Sequence, residues 1–295
     1  MLPKLIVIEG TNASGKSSLG VTLAARFGGE IVSADSRQVY ERLDLGSGKI
    51  TPEEMNGVPH HLLNVRKPGE FFSMADFQRL AFEAIDGIIA RGHVPFLVGG
   101  TGLYVDAVAD GYELSDRAPD HSLRAHLETF DTPALYEMLK EKLPDTEIDP
   151  RNRHRVMRAL ERIEADDFRP AGKSPRYTLL KLGVTWPRAV LKQRIDERLE
   201  KRLAEGMVDE VKALLDEGIS EEFLVKLGLE YKYLTWYLTG KIGYEQMVEE
   251  LGNAIKKFAK RQMTWFRRDD RIHWLDMSAD PVAEASALIE NFLNN

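Results

Sequence analysis

The architecture of this chain follows from one segment, Gly10-Thr11-Asn12-Ala13-Ser14-Gly15-Lys16-Ser17. The segment matches the pattern G-x-x-x-x-G-K-[ST], which chance places in roughly one chain of this length in a hundred. It follows Lys4-Leu5-Ile6-Val7-Ile8-Glu9, a short β-branched run typical of a buried parallel strand, and it opens an amphipathic stretch from Ser17 to Phe27. Strand, glycine-rich turn and helix are the context that a phosphate-binding P-loop requires.

The physical basis of this prediction is direct. Glycines let backbone N–H groups turn inward around phosphate oxygens, and the N-terminus of the following helix adds positive potential. Lys16 would neutralise a terminal phosphate, and the Ser17 hydroxyl would ligate Mg²⁺. The motif leaves the chemistry open, because the same cradle serves phosphoryl transfer and would equally hold a diphosphate leaving group while carbon is transferred.

Strand and helix patterns alternate around this segment. Further strands are predicted at 31–34, 94–98 and 178–184, a helix at 72–91, and helices from Pro187 nearly to the end of the chain. The alternation predicts an α/β fold, a P-loop NTPase-like parallel sheet flanked by helices. The polar, proline-containing segment 116–150 interrupts it, so we predict a P-loop core over 1–112 and 178–295 and a small, mostly helical insertion domain over 113–177.

Polar residues follow the predicted strands where ligands bind on parallel sheets. Asp35 suits a general base or a water-mediated Mg²⁺ contact, although an N-cap role is the simpler alternative. Thr101 follows a diglycine and is placed to donate to a phosphate oxygen, unless the diglycine is only a tight turn. Gln38 carries an amide that pairs with an adenine edge. His60-His61 favours a structural or substrate-facing loop over a metal site, because no third ligand has suitable spacing.

Charge is distributed unevenly along the chain. The net charge is −7, but residues 151–202 hold 15 Lys/Arg against 7 Asp/Glu, and residues 256–271 hold 7 against 2. Arg151, Arg155, Arg158 and Arg162 form one helical stripe, while Arg194, Arg198 and Arg202 border an apolar seam. Such segments can bind a phosphate backbone. Solvated helix faces with i,i+4 ion pairs are the alternative.

Composition bounds the remaining possibilities. The 295 residues are 43% hydrophobic and 29% charged, as in ordinary globular proteins, and contain no cysteine. Disulfides, zinc ribbons and thiolate catalysis are therefore excluded, and a cytoplasmic location is predicted. No apolar run has the length of a membrane span, and the N-terminus lacks the layout of a signal peptide.

Taken together, the motifs resemble those of the bacterial tRNA dimethylallyltransferases, which are also called tRNA isopentenyltransferases. The resemblance covers most of the chain. It rests on the order of the segments 10–17, 33–40, 44–49, 57–62, 99–104, 155–161 and 259–266. It implies transfer of a dimethylallyl group from dimethylallyl diphosphate to the N6 amine of adenosine 37 in tRNA, with Mg²⁺ and with release of diphosphate.

The resemblance also implies roles for individual residues. Asp35 would be the base, Thr101 would contact the diphosphate, and Arg194 would clamp it. The donor-binding residues would be Gly10, Thr11, Asn12, Ala13, Ser14, Gly15, Lys16 and Ser17. The residues facing the anticodon stem-loop would be Asp35, Ser36, Arg37, Gln38, Thr101, Arg153, Arg155, Arg158, Lys260 and Arg261. Thr11, Asn12, Arg37, the pair Ser47-Gly48 and the run 228–232 depart from the usual residues of that family.

Three other functions stay open at this stage: prenyl transfer to free AMP or ADP, a P-loop nucleotide kinase, and a non-catalytic RNA-binding P-loop protein. The basic C-terminal half favours tRNA over a free nucleotide as the acceptor. We expect a monomer.

Overall fold

A computed structural model describes residues 2–115, 120–168 and 172–295. The chain divides into two compact units. The first comprises Met1–Gly111 and Pro175–Asn295, and the second comprises Tyr112–Ser174.

The first unit is built on a parallel sheet. Within the described residues its strands are β1 (Lys4–Gly10), β2 (Gly29–Ala34), β3 (His60–His61), β4 (Val94–Gly99), β5 (Thr178–Thr185) and β6 (Ile272–Asp276). They are ordered β3-β2-β4-β1-β5-β6, and every neighbouring pair is parallel. The predicted α/β class with a parallel sheet is confirmed.

Helices cover both faces of this sheet. In chain order they are α1 (Lys16–Arg26), α2 (Pro52–Met55), α3 (Met74–Ala90) and α4 (Gly102–Ala109). Then follow, in the second unit, α5 (His121–Glu128), α6 (Thr132–Lys142) and α7 (Arg153–Glu164). The first unit resumes with α8 (Arg188–Ala204), α9 (Met207–Asp216), α10 (Glu221–Leu227), α11 (Leu229–Leu238), α12 (Tyr244–Phe266) and α13 (Pro281–Asn294).

The alternation of side chains along β1 divides the core into two halves. Leu5 and Val7 pack with residues of α3, α4, α8, α11 and α12, whereas Ile6 and Ile8 pack with residues of α1 and α13. All four side chains are fully buried. A strand buried on both faces needs apolar residues at every position, which explains why the run from Leu5 to Ile8 does not alternate in hydropathy.

Two strands were not predicted. The region after Pro187 was expected to be helical nearly to the end, but Ile272–Asp276 forms β6 at the edge of the sheet beside β5. Its Ile272 and Leu275 are buried and the residues between them are more exposed. Five residues between two long helices give too short a pattern to identify. The two-residue strand β3 was likewise expected to be loop.

The second unit has its own apolar core from α5, α6 and α7, with Leu135, Leu139, Val156 and Leu160 buried. Asp131 and Asn152 cap α6 and α7 by accepting hydrogen bonds from backbone N–H groups. None of the helices in the described ranges is long and apolar enough to cross a membrane.

Substitution of Phe77, which lies on α3, tests the packing of the larger core. It is fully buried and stacks on Tyr104 with ring centroids 4.1 Å apart. Phe77→Ala should lower the free energy of unfolding by about 3–5 kcal/mol, because it leaves a cavity that the packed helices cannot fill. The matched control is Phe71→Ala, since Phe71 is 62% exposed and its truncation should cost less than about 0.5 kcal/mol. Urea unfolding of both variants measures the difference, and equal losses would contradict this packing.

Candidate active site

The carboxyl ends of β2, β4 and β1 meet at one edge of the sheet, with β4 in the middle. The backbones of β4 and β2 approach so closely that a Cβ on Gly99 would lie 2.2 Å from the carbonyl oxygen of Ala34. Beyond this contact, the backbone N–H of Ser36 donates to Thr101 Oγ1 at 3.2 Å, and the Thr101 N–H donates to Ala34 O at 3.2 Å. The expectation that these strand ends gather polar residues is therefore met by Asp35, Ser36 and Thr101.

Three backbone carbonyl groups of the P-loop accept hydrogen bonds from side chains, two of which lie outside the loop. The Thr11 carbonyl accepts from Lys16 Nζ at 3.3 Å, the Ala13 carbonyl from Arg194 Nε at 3.0 Å, and the Ser14 carbonyl from Trp186 Nε1 at 2.9 Å. The guanidinium of Arg194 also lies over the Trp186 ring, 4.7 Å from its centroid. Helix α1 begins at Lys16, and the first N–H groups of a helix have no partner within it. Such a turn presents N–H groups to an anion.

A glutamine on α12 ties the P-loop to the end of β4. Gln262 Oε1 accepts from the Asn12 N–H at 3.0 Å, and its Nε2 donates to the Gly100 carbonyl at 2.7 Å. Gln262 is 7% exposed. Because one buried amide bonds both turns, the spacing between the P-loop and the Gly100-Thr101 turn is fixed by a residue far away in sequence.

An open pocket of about 580 Å³ lies in front of the P-loop. Its charged lining residues are Lys16, Arg37, Arg198, Arg202, Asp35 and Glu230, and its apolar lining residues include Ile195, Leu199, Met207 and Ile255. Four cations therefore face two carboxylates in one cavity. An apolar wall beside a cationic one suits a ligand with an anionic head and a hydrocarbon tail.

The pKa values of three cations in this pocket are lowered because the cations are close together and partly removed from solvent. Burial and the neighbouring Arg198 lower the pKa of Lys16 to about 8. Burial and the neighbouring Arg202 lower the pKa of Arg198 to about 10, so Arg198 stays charged at neutral pH. Burial also lowers the pKa of Arg202. Each cation would be relieved by an anion, and the pocket is therefore electrostatically prepared for a polyphosphate.

The guanidinium groups of Arg198 and Arg202, both on α8, lie close to Gly48. Gly48 has a φ of +63°, and a Cβ there would lie 1.4 Å from Arg202 Nη2 and 2.5 Å from Arg198 Nη2. The loop before Gly48 is held by one carboxylate, Glu210, which accepts from the backbone N–H groups of residues 44, 45 and 46 at 2.9, 2.6 and 3.0 Å. Glu210 thus positions the backbone on which both arginines rest.

Asp35 lies at the rim of this pocket and is 14% exposed. Its Oδ1 accepts from the backbone N–H of Arg37 at 2.9 Å, and Arg37 Nε lies 4.0 Å from the same oxygen. Arg37 in turn bonds Glu230 at 2.7 Å. The two departures from the family pattern at Arg37 and in the run 228–232 are therefore in contact. Asp35 therefore bonds the backbone of the turn that follows it and also lines the pocket.

A second pocket of about 360 Å³ adjoins the first and shares Lys16, Ser17 and Asp35 with it. Gln38 also lines it, with Oε1 accepting from Ser33 Oγ at 3.0 Å and Nε2 donating to the Gly48 carbonyl at 3.2 Å. His60 lines the same pocket, and burial lowers its pKa. Gln38 is therefore in the site, with both ends of its amide bonded to the protein, and base reading by it stays a prediction.

The basic residues predicted to face tRNA lie in both units. Lys260 and Arg261 are exposed on α12, and Arg261 covers the ring of Phe258, whose other neighbour is Arg37. Arg153 and Arg155 are on α7 of the second unit, where Arg153 Nη2 donates to the Glu128 carbonyl at 3.1 Å and Arg155 is exposed. Arg158 of the α7 stripe pairs with the buried Glu161, as does Arg124 of α5, and Arg162 bonds the Asp167 carbonyl.

Four pocket residues were not predicted as site residues, namely Arg198, Arg202, Gly48 and Glu230, and neither was Gln262, which bonds the P-loop. A signal existed for two of them, since Arg198 and Arg202 follow Arg194 at helical spacing beside the apolar seam. Gly48 and Gln262 lie in the motif segments 44–49 and 259–266, and Glu230 lies in the run 228–232, but their contacts join residues that are distant in the chain and that no local pattern identifies.

The donor chemistry of the site fits Mg²⁺. The Ser17 hydroxyl and the Asp35 carboxylate line both pockets together with Lys16. Mg²⁺ is held in phosphate-binding sites by one or two such protein oxygens, with phosphate oxygens and waters completing its shell. In the described ranges no group of three or more His, Cys, Asp or Glu side chains is arranged to hold a metal.

Comparisons with known proteins agree with this geometry. The sequence model of the IPP transferase family matches residues 38–269. A tRNA dimethylallyltransferase 1 of Geotalea daltonii is 43% identical over 99% of this chain and 96% of its own length. The crystal structure of the tRNA isopentenylpyrophosphate transferase of Bacillus halodurans is 40% identical, with a TM-score of 0.75, covering 99% of this chain and 95% of that one.

A eukaryotic dimethylallyltransferase, seen in crystallographic snapshots acting on tRNA, is 28% identical with a TM-score of 0.83. The match covers 99% of this chain and 80% of that protein. Together with the sheet order, these neighbours confirm the predicted P-loop NTPase-like fold.

Gly48→Ala should weaken binding of inorganic pyrophosphate with Mg²⁺ by at least about tenfold, because the new Cβ displaces the Arg202 and Arg198 guanidinium groups and one lost charge-assisted bond is worth about 1.5–3 kcal/mol. Isothermal titration calorimetry measures the change. Gly28→Ala is the matched control, since Gly28 has nearly the same φ, +61°, with nothing within 4 Å of a Cβ. Both variants bear the backbone strain. Equal pyrophosphate affinity in both would mean that the arginines do not contact the diphosphate.

The pKa of Lys16 gives a second prediction. Bound diphosphate stabilises the ammonium form, so binding near pH 8 should take up a proton, and the Lys16 contribution should decline by up to about tenfold per unit as pH rises above 8. Calorimetry of pyrophosphate binding in buffers of different ionisation enthalpy measures the uptake. Lys16→Met should abolish it, and identical proton uptake in that variant would assign the titration to another group.

Proposed function

This chain belongs to the IPP transferase family, and we propose that it transfers a dimethylallyl group from dimethylallyl diphosphate to tRNA. The observation that carries the proposal is the pocket in which half-buried cations around the P-loop face Asp35, with an apolar wall beside them. This arrangement supports binding of a prenyl diphosphate, and the names of the relatives at 40–44% identity over nearly the whole chain supply tRNA as the acceptor.

The proposed acceptor atom is N6 of adenosine 37. Its lone pair attacks C1 of the donor, the C1–oxygen bond breaks, and that electron pair leaves with the diphosphate. The proton lost from N6 passes to Asp35. An adenine amine is a poor nucleophile, so stabilisation of the charge on the departing diphosphate would supply most of the rate enhancement.

Different residues of this chain would bind the diphosphate, support the P-loop and align the leaving group. Lys16, Arg198 and Arg202 would bind the diphosphate, and because they already line the pocket they need little rearrangement as its charge develops. Arg194 would act by supporting the P-loop at the Ala13 carbonyl and by contacting the diphosphate. Thr101, which is bonded to the N–H next to Asp35, would align the leaving group with the base.

Mg²⁺ would be held by the Ser17 hydroxyl, with Asp35 reached through a water molecule, and would neutralise charge on the diphosphate. The adenine would have to leave the anticodon stack to reach Asp35, at a cost of a few kcal/mol. Ser36, Arg37 and Gln38 lie beside Asp35, and Lys260, Arg261, Arg153, Arg155 and Arg158 would contact tRNA phosphates. We further propose that the protein acts as a monomer in the cytoplasm.

The direct test is incubation of the protein with labelled dimethylallyl diphosphate, Mg²⁺ and a tRNA that carries A36-A37-A38. Label on N6 of A37 is the expected result. Parallel reactions with AMP, ADP and ATP test the other functions. Label on a free nucleotide in preference to tRNA would indicate a nucleotide prenyltransferase, and phosphate transfer from ATP would indicate a kinase.

Asp35→Asn should lower turnover by ~10²–10⁴, because the amide keeps the shape of the side chain but cannot accept the N6 proton. Binding of tRNA should change little. Asp216→Asn is the control, since Asp216 is a strongly exposed aspartate whose only described ion pair, with Lys212, spans 4.0 Å. Single-turnover rates and tRNA filter binding separate the two effects. If Asp35→Asn weakens tRNA binding as much as it slows turnover, its assignment as the base is wrong.

A further inference from the structure

Helix α12 contacts the backbone on both sides of Thr101. Gln262 Nε2 donates to the Gly100 carbonyl at 2.7 Å. Trp265 lies so close to Gly102 that a Cβ there would be 2.4 Å from Trp265 Cδ1. Residues three apart in a helix lie on the same face, so Gln262 and Trp265 project together toward this turn. One face of α12 therefore meets the residue before Thr101 and the residue after it.

Gln262 also contacts the P-loop. Its Oε1 accepts from the Asn12 N–H at 3.0 Å, and the side chain is buried. A Cβ on Gly100 would lie 3.0 Å from Gln262 Nε2 and 3.3 Å from Lys16 Cε, so the amide, the diglycine turn and the P-loop lysine are packed together. The opposite orientation of the amide would set N–H against N–H and carbonyl against carbonyl. The amide is therefore fixed in one orientation between the two turns.

The end of α12 is anchored to the sheet through Trp265. Its Nε1 donates to Asp106 Oδ2 at 2.8 Å, and Asp106 belongs to a cluster of charges around the buried Lys181 of β5. Lys181 Nζ lies 2.6 Å from Asp269 Oδ2 and 3.1 Å from Oε1 of Glu9, which is fully buried on β1. Buried charges are retained only where they are paired, and such a cluster has few alternative arrangements. The helix is thus held against the strand that leads into the P-loop.

Thr101 is oriented by hydrogen bonds to the end of β2. Its Oγ1 accepts from the Ser36 N–H at 3.2 Å, and its backbone N–H donates to the Ala34 carbonyl at 3.2 Å. A hydroxyl has two acceptor lone pairs and one proton, so an oxygen that accepts keeps its proton to donate. Under the proposed function, the departing diphosphate supplies an acceptor for that proton.

We propose that Gln262 and Trp265 are positioning residues that hold Thr101 at a fixed distance from the P-loop, so that its hydroxyl donates to the diphosphate as the bond to carbon breaks. The proposal rests on the function proposed above and deepens it by assigning α12 to the rate of transfer. Binding of the diphosphate is the role of the P-loop and the cations beside it. A shift of about 1 Å in a positioned group can slow a reaction by about 10², although the bound ligand keeps its other contacts.

The test compares the single-turnover rate of prenyl transfer to saturating tRNA with the affinity for pyrophosphate in the presence of Mg²⁺. Methionine has nearly the length of glutamine but forms neither hydrogen bond, so Gln262→Met should slow transfer at least about tenfold while pyrophosphate affinity changes less than about threefold. Gln246→Met is the matched control on the same helix, because Gln246 is exposed and its amide donates to Glu250 on the surface. Its rate and affinity should equal those of the wild-type chain.

A double-mutant cycle with Thr101→Ala shows whether Gln262 acts through Thr101. Thr101→Ala alone should slow transfer, and adding Gln262→Met should then cost little further rate, because the group that the amide positions is gone. Losses that simply add in the double variant would overturn the proposal in favour of a structural role. A loss of pyrophosphate affinity as large as the loss of rate would overturn it in favour of a role in binding.

Trp265→Phe supplies a second variant if Gln262→Met folds poorly, because it keeps a ring over Gly102 and loses the hydrogen bond to Asp106. Its rate should fall about threefold to tenfold, and that loss should also disappear in the Thr101→Ala background. Wild-type chain that transfers the prenyl group, with variants whose rates follow thermal stability alone, would overturn this inference and leave the proposed function standing. Wild-type chain that binds pyrophosphate but transfers no prenyl group would overturn the proposed function and this inference with it.

Discussion

The concentration of positive charge around the P-loop is the constraint on which the rest of the structure depends. Lys16, Arg198 and Arg202 are half-buried in one pocket, and desolvation together with neighbouring cations lowers the pKa of all three. Desolvated charges are costly unless they are paired. Under the proposed function a bound polyanion would offset this cost, and the cations would already be in place when the diphosphate leaves with its electron pair.

Much of the surrounding structure maintains that arrangement. Gly48 leaves the space in which both arginines lie, and Glu210 holds the loop that carries Gly48. On the opposite side, Gln262 bonds the P-loop to the end of β4, and the close contact of Gly99 with Ala34 brings Thr101 beside Asp35. Asp35 and the P-loop are therefore positioned by hydrogen bonds from the Gln262 side chain and by the close approach of two backbones. The Arg37–Glu230 ion pair lines the same pocket.

Features of the fold that depend on short sequence patterns were predictable, whereas contacts between distant segments were not. The P-loop, four of the six strands and the position of Asp35 and Thr101 at neighbouring strand ends were predictable, because each depends on a pattern within about ten residues and on the rule that parallel strands end at one edge. The edge strand β6 was missed because five residues between α12 and α13 carry too little pattern. The arginine stripe on α8 was recognised, but its assignment to the diphosphate pocket required knowing where Gly48 lies.

Local residue order was thus sufficient for the fold class and for placing the P-loop and Asp35 at the carboxyl ends of parallel strands. The surroundings of Asp35 were not accessible in the same way. Gln262 bonds Asn12, which is 250 residues away in the sequence, and Glu230 bonds Arg37, which is 193 residues away. The local sequence around Gln262 or Glu230 does not identify its distant partner. Those contacts form when α12 packs against β1 and α11 packs against α12, since this packing brings Gln262 to the P-loop and Glu230 to Arg37. The balance of charge in the pocket is a property of that packing, because it depends on distances and solvent exclusion that exist only in the folded chain.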